Sequence, residues 1–173
     1  MGKLQDLYIN KVINFLSHHG SMIARQALAT HDTKVDTANQ EDAYGWGVYY
    51  NRQLVNWGYA DPSMRASEPH RDKWGGLSYG KEWIFDFLTN EFIPEKDGFC
   101  LVVANAAPYS VSHEMGNTPT GRKYRIISQA VNYIKGLQGA FKNSEIKTFN
   151  LGSGGRGSWG RGRPKGSKNR KNR

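Results

Sequence analysis

Histidines and carboxylates are the side chains of this chain that could perform acid–base chemistry or bind a metal ion. His18 and His19 are adjacent in a helical stretch, and His31 lies beside Asp32 further along the chain. Neighbouring side chains on a helix point about 100° apart, so His18 and His19 cannot both face one ion. We therefore interpret them as solvated or helix-capping side chains and predict no metal site.

A second candidate for catalysis is the pair His113 and Glu114. The pattern around them predicts a strand, in which neighbouring side chains face opposite sides of the sheet, so a joint role is not expected. Asp86, Glu91 and Glu95 fit the polar face of a helix and the loop after it. Because the sequence also contains neither a phosphate-binding glycine loop nor a nucleophile elbow, it predicts a protein that is not an enzyme, with no catalytic residue and no cofactor.

Residues 152–173 form a strongly basic arm, whose chemistry is the binding of anions. The arm holds eight of the 24 Lys and Arg residues and none of the 15 Asp and Glu residues, so residues 1–151 carry a net charge of only +1. Its basic residues are Arg156, Arg161, Arg163, Lys165, Lys168, Arg170, Lys171 and Arg173. With seven glycines and one large apolar side chain, Trp159, the arm cannot form a core of its own. We expect it to contact an anionic partner.

The arm contains a motif that is typical of one class of DNA-binding peptide. Arg161-Gly162-Arg163-Pro164, followed by Lys165-Gly166-Ser167-Lys168, matches the core of an AT-hook. In such a peptide the glycine lets the backbone lie deep in a narrow minor groove, the arginines reach along its floor, and the proline holds an extended path. An acidic protein surface is the alternative partner, and both stay open at this point.

Length and composition predict one domain, residues 1–151, followed by the basic arm 152–173. About 150 residues are enough for a single core. Cys100 is the only cysteine, which excludes an intramolecular disulfide, and its apolar neighbours predict a buried, inert thiol. No run approaches the roughly 20 apolar residues of a membrane span, and no signal peptide is recognisable at the N-terminus. We expect a soluble protein of a reducing compartment that does not bind membranes.

Hydrophobic periodicity predicts three helices. Residues 3–29 carry apolar side chains at spacings of three and four, with a candidate break or kink at Gly20. The apolar positions in the first half of this helix are Leu4, Leu7, Tyr8, Val12, Phe15 and Leu16. A middle helix is predicted over residues 79–91, with Ser78 as a candidate cap, and a third helix runs from Tyr124 to Phe141.

Alternating patterns predict a small antiparallel sheet. Residues 44–50 and 54–59 form a β-hairpin around a turn at Asn51-Arg52, residues 99–105 form an apolar strand, and a further half-buried strand runs from Tyr109 to Met115. Residues 30–42 and 61–78 are predicted to be loops. The fold class is therefore α+β, a small antiparallel sheet packed on one face by the N-terminal, middle and C-terminal helices.

Two stretches within residues 37–116 resemble the tail-completion proteins, the head–tail connectors or neck proteins, of tailed bacteriophages. The first is Val102-Val103-Ala104-Asn105-Ala106-Ala107-Pro108-Tyr109-Ser110-Val111-Ser112-His113-Glu114-Met115-Gly116. The second comprises Thr37-Ala38-Asn39 and Asp42-Ala43-Tyr44-Gly45-Trp46-Gly47-Val48-Tyr49-Tyr50-Asn51. Ala38 stands where the family usually has Gly, and Met115 where it has an aromatic residue. The helix predicted over 79–91 is similar to an insertion in neck-ring proteins of crAss-like podophages.

This resemblance implies a structural role in the virion. Copies would form a cyclic ring in the phage neck that joins the portal and capsid to the tail and helps to retain packaged DNA. Implied partners are the portal or adjoining neck and tail proteins and double-stranded DNA, and assembly would take place in the host cytoplasm. The family-motif positions with an implied structural role are Asn105, Pro108, Tyr109, Glu114 and Gly116.

A ring requires contacts between copies, and aromatic and Arg side chains are typical of such interfaces. The candidates for a subunit interface are Tyr44, Trp46, Tyr49, Tyr50, Trp57 and Tyr59 in the hairpin, and Arg71 and Trp74 in the loop that follows. The alternative is that most of the aromatic residues fill the core of the domain itself.

A second hypothesis comes from a different class of protein. In this alternative the chain is a DNA-binding protein that uses its AT-hook-like arm as the working element. The two hypotheses differ in what the body does, because a neck subunit must self-associate through residues 1–151 whereas an AT-hook protein depends on residues 152–173.

Overall fold

The structure, a computed structural model, describes residues 2–30, 38–71, 75–110, 114 and 126–137. All of them belong to one compact unit, Met1–Asn143, and a second unit comprises Ser144–Arg173. The basic arm and the domain boundary predicted after residue 151 lie outside the described residues.

The strands of the described part form a three-stranded antiparallel sheet and a small separate hairpin. The strands are β1 (Tyr44–Tyr50), β2 (Gln53–Tyr59), β3 (His70–Arg71), β4 (Leu77–Ser78) and β5 (Phe99–Asn105). The sheet order is β2-β1-β5, so β1 lies in the centre, while β3 pairs with β4. The predicted turn is confirmed, since Asn51 and Arg52 have φ angles of 48° and 69°, as a type I′ turn requires.

Helices account for most of the remaining described residues and confirm the α+β class. They are α1 (Lys3–Ala29), α2 (Asn39–Asp42), α3 (Gly80–Asp86), which continues as a π-helix (Phe87–Glu91), and α4 (Ile126–Leu137). Two predicted loops are thus partly regular, because residues 30–42 contain α2 and residues 61–78 contain β3 and β4. Loops of such length often have local structure of their own.

The start of α3 differs from the prediction by one residue. Tyr79, not Ser78, occupies the N-cap position, and its backbone N–H donates to the Glu82 carboxylate at 3.0 Å. The Ser78 hydroxyl instead accepts a hydrogen bond from Nε1 of Trp83 at 2.6 Å. Ser78 therefore holds the Trp83 ring and does not cap the helix.

The strand predicted from Tyr109 to Met115 is wrong, because Ser110 and Glu114 both have helical conformation. The chain turns immediately after β5: the Asn105 carboxamide oxygen accepts from the N–H of Ala107 at 3.0 Å, and the N–H of Ser110 donates to the Ala107 carbonyl at 2.9 Å. Local side-chain hydrogen bonds of this kind compete with strand formation. The alternation of large and small residues was not a sufficient sign of a strand.

Helices cover both faces of the sheet, whereas the sequence predicted one. On one face α1 and α4 pack against Trp46 and Val48 of β1. On the other face α3 and the π-helix pack over Gly45 and Gly47, where a Cβ atom on Gly45 would lie 2.6 Å from Cγ1 of Ile84. Because alternate residues of a strand face opposite sides, β1 contacts both helical layers.

Gly20 does not break α1, contrary to the prediction. A Cβ atom at this position would lie 2.8 Å from Cδ1 of Leu101 and 3.2 Å from Cβ of Trp46. The glycine therefore lets the helix backbone come close to the sheet, and its structural role is close packing.

A buried amide joins α2 to two distant segments. The Asn39 carboxamide donates to the Glu68 carbonyl at 2.7 Å and accepts from the N–H of Gly80 at 3.0 Å. The carboxamide of Asn105 donates to the Gln40 carbonyl at 2.8 Å, which adds β5 to the same region. These contacts fix the start of α3, the loop before β3 and the end of β5 relative to α2.

We predict that Asn39→Ala lowers the free energy of unfolding by about 1–3 kcal/mol, because the buried N–H of Gly80 and the part-buried carbonyl of Glu68 lose their partner. Urea denaturation measures this change. The control is Asn90→Ala, which removes an exposed side chain that bonds the Asp86 carboxylate, and it should cost less than about 1 kcal/mol. Equal losses in the two variants would contradict the structural role of Asn39.

Candidate subunit interface

The first half of α1 lies at the surface of the domain. No side chain between residues 2 and 18 is fully buried, and the first two that are buried are His19 and Gly20. The side of the helix that faces the body is formed by half-buried residues at helical spacing. These residues are Ile9, Val12, Ile13, Leu16 and Ser17.

A second apolar side of the same helix faces solvent. The exposed fractions are 84% for Leu4, 53% for Leu7, 64% for Tyr8 and 46% for Phe15. At 100° per residue these four positions fall within an arc of about 100°, opposite the inner side. We call these four residues the α1 stripe. The sequence predicts a single apolar side for this half of the helix, because the spacing places the four stripe residues in one series with Val12 and Leu16.

One hydrogen bond joins α1 to the sheet where the stripe ends. The Asn56 carboxamide of β2 donates to the Ser17 hydroxyl at 2.8 Å, so α1 meets β2 at this point. Within the helix, the Phe15 ring contacts the ring of His19, with centroids 4.3 Å apart. His19 is buried, and burial together with the neighbouring His18 lowers its pKa. The stripe therefore ends where α1 begins to pack against the sheet.

Three of the predicted interface residues belong to the core of the domain. Tyr44 and Tyr49 are 2% exposed and Trp46 is 9% exposed. Burial raises the pKa of Tyr49 to about 12, and its hydroxyl donates to the Leu88 carbonyl at 2.6 Å. Burial also raises the pKa of Tyr44. For these three residues the alternative role, that of filling the core, is the one that the structure supports.

The other candidates lie nearer the surface. Tyr50 is half-buried and stacks on Phe99, with ring centroids 4.7 Å apart. Tyr59 is also half-buried, and Nζ of Lys81 lies 5.0 Å from the centre of its ring. Arg71 is exposed on β3. Trp74 lies outside the described residues, as do Gly116 of the family motif and all the arm residues from Arg156 to Arg173.

A second set of exposed apolar side chains lies near Trp57, and the sequence analysis did not predict it. Its half-buried ring contacts the ring of Phe85, with centroids 5.3 Å apart. Phe85 is 44% exposed, Val55 of β2 is 42% exposed, and Ile93 is 61% exposed. We call Val55, Phe85 and Ile93 the β2-edge patch. Helical periodicity alone does not predict that Phe85 is exposed, since nothing in the sequence indicates how α3 lies along β2.

The backbone around Ile93 is fixed beside the hairpin turn. The carbonyl of Pro94, the next residue, accepts from Nε of Arg52 at 3.2 Å. Arg52 immediately precedes β2. Phe85 therefore contacts β2 through Trp57, whereas Ile93 lies next to a residue that is bonded to the turn before β2.

The described family-motif residues make internal contacts. Asn105 binds α2, as given above, and Pro108 lies in the turn after β5. The Tyr109 ring lies near those of His70 and Trp83, with centroids 5.7 and 6.3 Å away, and burial raises its pKa. Glu114 accepts from the backbone N–H and the hydroxyl of Ser128, at 3.2 and 2.6 Å, in the first turn of α4. A carboxylate at the N-terminus of a helix also interacts favourably with the positive end of the helix dipole.

The buried carboxyl of Asp42 is a charged group in this interior for which acid–base chemistry could be considered. It accepts from the N–H of Ala66 at 3.3 Å and lies 3.7 Å from Nζ of Lys81, and burial raises its pKa. Lys81 also donates to the carbonyls of Pro62 and Met64. The pair therefore ties the loop after β2 to α3, which is a structural function.

The described residues contain no group of three or more His, Cys, Asp or Glu side chains that could hold a metal ion. Nor does any described helix have the length and apolar character to cross a membrane. Comparison with known proteins gave no match to a family model, to a curated protein or to a solved structure.

The buried imidazole of His19 predicts a dependence of stability on pH. Its pKa is below 6.5 in the folded state, so the unfolded state binds more protons, and stability falls as the pH drops through about 6.5. Urea denaturation at pH 7.5 and pH 5.5 should show a larger loss for the wild type than for His19→Gln. His18→Gln, at the exposed neighbouring position, should keep most of the pH dependence. The same loss in His19→Gln and wild type would contradict this assignment.

Proposed function

We propose that this chain is a non-enzymatic structural subunit of the neck of a tailed bacteriophage. In this role copies form a cyclic ring that joins the portal and capsid to the tail and helps to retain packaged DNA. The observation that carries the proposal is the α1 stripe, an exposed apolar side of a helix that a self-associating subunit would bury. The resemblance within residues 37–116 indicates which assembly this is.

The size of the stripe supports self-association. Taking about 200 Å² for a fully exposed large side chain, the four residues present roughly 500 Å². A patch of this size is at the upper end of what monomeric proteins leave in contact with water. Leu4 is the extreme case, since it is 84% exposed at the end of the helix.

The sheet offers further surface for contacts between subunits. Among the described residues, the outer edges of β2 and β5 pair with no other strand. Open edges carry unpaired backbone donors and acceptors that a neighbouring chain can use. Two open sheet edges in the described part and one partly exposed helix suit a subunit whose surface is completed by its neighbours.

The basic arm would act within the assembly. Eight positive charges and no negative ones fit double-stranded DNA or an acidic face of an adjoining neck or tail protein. In a ring, each copy contributes one arm, so weak individual contacts add up through multivalency.

We predict that the full chain self-associates alone or with a portal protein, and that Leu4→Gln/Tyr8→Gln reduces it to a monomer. Glutamine preserves the helix propensity of α1 but removes the apolar surface. Native mass spectrometry and light scattering measure the assembly. The matched control is Leu77→Gln/Tyr79→Gln, which changes the same residue types at exposed positions elsewhere and should assemble like the wild type. A wild-type chain that stays monomeric even with the portal protein would disprove the proposal.

The AT-hook alternative makes a different prediction, which the motif at Arg161-Gly162-Arg163-Pro164 justifies testing. If all eight basic residues contact phosphates, the log–log dependence of DNA affinity on salt has a slope of about −7. A chain that ends at Leu151 loses this binding under both hypotheses. Under the neck hypothesis the shortened chain still assembles. Under the alternative neither the full nor the shortened chain assembles, and Leu4→Gln/Tyr8→Gln leaves DNA binding unchanged.

A further inference from the structure

The two exposed apolar surfaces of the domain lie on different layers. The α1 stripe belongs to the helix that covers the Trp46 side of the sheet, and Phe85 of the β2-edge patch belongs to α3 on the opposite side. A two-fold contact needs one surface that is complementary to itself, whereas a ring needs two different surfaces on each copy. The described part of this domain offers at least these two, besides the exposed pair Leu77 and Tyr79.

We propose that the α1 stripe of one copy packs on the β2-edge patch of the next copy, in a head-to-tail contact that repeats around the ring. This inference rests on the self-association proposed above and specifies its geometry. The partner is a second copy of this chain, and each copy gives its helix to one neighbour and receives a helix from the other.

The exposed areas suit this pairing. By the same approximation the β2-edge patch presents roughly 300 Å², which with the stripe gives roughly 800 Å² of apolar surface per contact. A stable interface buries about 1,200–2,000 Å² in total, of which a little over half is apolar. A contact between two α1 stripes would bury more apolar surface but would leave both β2-edge patches in water and would close a dimer.

Charge complementarity favours the same pairing. Residues 80–97, which contain Phe85 and Ile93, hold five carboxylates and two Lys, a net charge of −3, to which Arg52 beside Pro94 adds one positive charge. The exposed half of α1 carries Lys3 and Lys11 with only Asp6 as a counter-charge. Lys11 falls within the arc of the stripe, so its ammonium group would lie at the rim of the contact beside these carboxylates. Two stripes facing each other would bring lysines of both copies together.

Complementation between two defective variants tests the proposal. Leu4→Gln/Tyr8→Gln removes the stripe and keeps the patch, while Phe85→Gln/Ile93→Gln removes the patch and keeps the stripe. In full-length chains, each variant alone should be monomeric. An equimolar mixture with one variant labelled with ¹⁵N should give a heterodimer with one intact contact and nothing larger by native mass spectrometry, whereas the wild type forms the full assembly.

A charge-reversal pair avoids the risk that loss of the Phe85 side chain disturbs α3. Lys3→Glu/Lys11→Glu and Glu91→Lys/Glu95→Lys change exposed side chains only. Each alone should weaken self-association at least fivefold. In the mixture both kinds of contact between unlike copies pair opposite charges, so alternating assemblies of the two variants should recover. Circular dichroism verifies that all variants are folded.

The outcomes separate the two proposals. If Phe85→Gln/Ile93→Gln assembles like the wild type, or the mixtures stay monomeric while the wild type assembles, the head-to-tail contact is wrong and the neck proposal survives. If the wild type is monomeric with and without a portal protein, both are wrong.

Discussion

The alternation of large side chains and glycines along β1 is the constraint on which the rest of the domain depends. Trp46 and Val48 fill one face of the sheet, whereas Gly45 and Gly47 leave room on the other for Ile84 and Leu88 to approach the backbone. A larger side chain at either glycine would push α3 away and separate Asn39 from the N–H of Gly80. One strand therefore sets the distance of both helical layers, and its side chains from Tyr44 to Tyr49 are too deeply buried to contact another subunit.

The exposure of the α1 stripe follows from the same packing. Close contact at Gly20 seats the C-terminal half of α1 on Trp46, and Ser17 meets Asn56 at β2. A straight helix that is fixed at these points must carry its first four turns along the surface, where only one of its two apolar sides meets the body. The stripe is thus a consequence of where the helix is held, and no described part of the chain buries it.

The sequence predicts local elements well where one periodicity dominates. The hairpin follows from the alternation around Asn51-Arg52, and α1 and α4 follow from apolar spacing. Two features depended on distant contacts that no local pattern contains. The apolar positions of α1 serve two sides, and only the position of the sheet decides which is buried. Residues 109–115 alternate like a strand, but the hydrogen bonds of Asn105 turn the chain first. The helical layer over Gly45 and Gly47 also depends on distant contacts. Glycines in a strand leave space on one face, but the local sequence does not indicate which element fills it.

The family-motif residues and the surfaces that would build a ring have separate tasks. Asn105 holds α2 and Glu114 holds the first turn of α4, so both stabilise the domain itself and would do so in a monomer as well. Such residues stabilise one copy of the domain, but they do not join two copies to each other. In the proposed ring, assembly would have to come from side chains that the fold leaves exposed, such as those of the stripe and the β2-edge patch. A head-to-tail contact between two rigid surfaces fixes the rotation from one copy to the next, and the number of copies in a closed ring then follows from that angle.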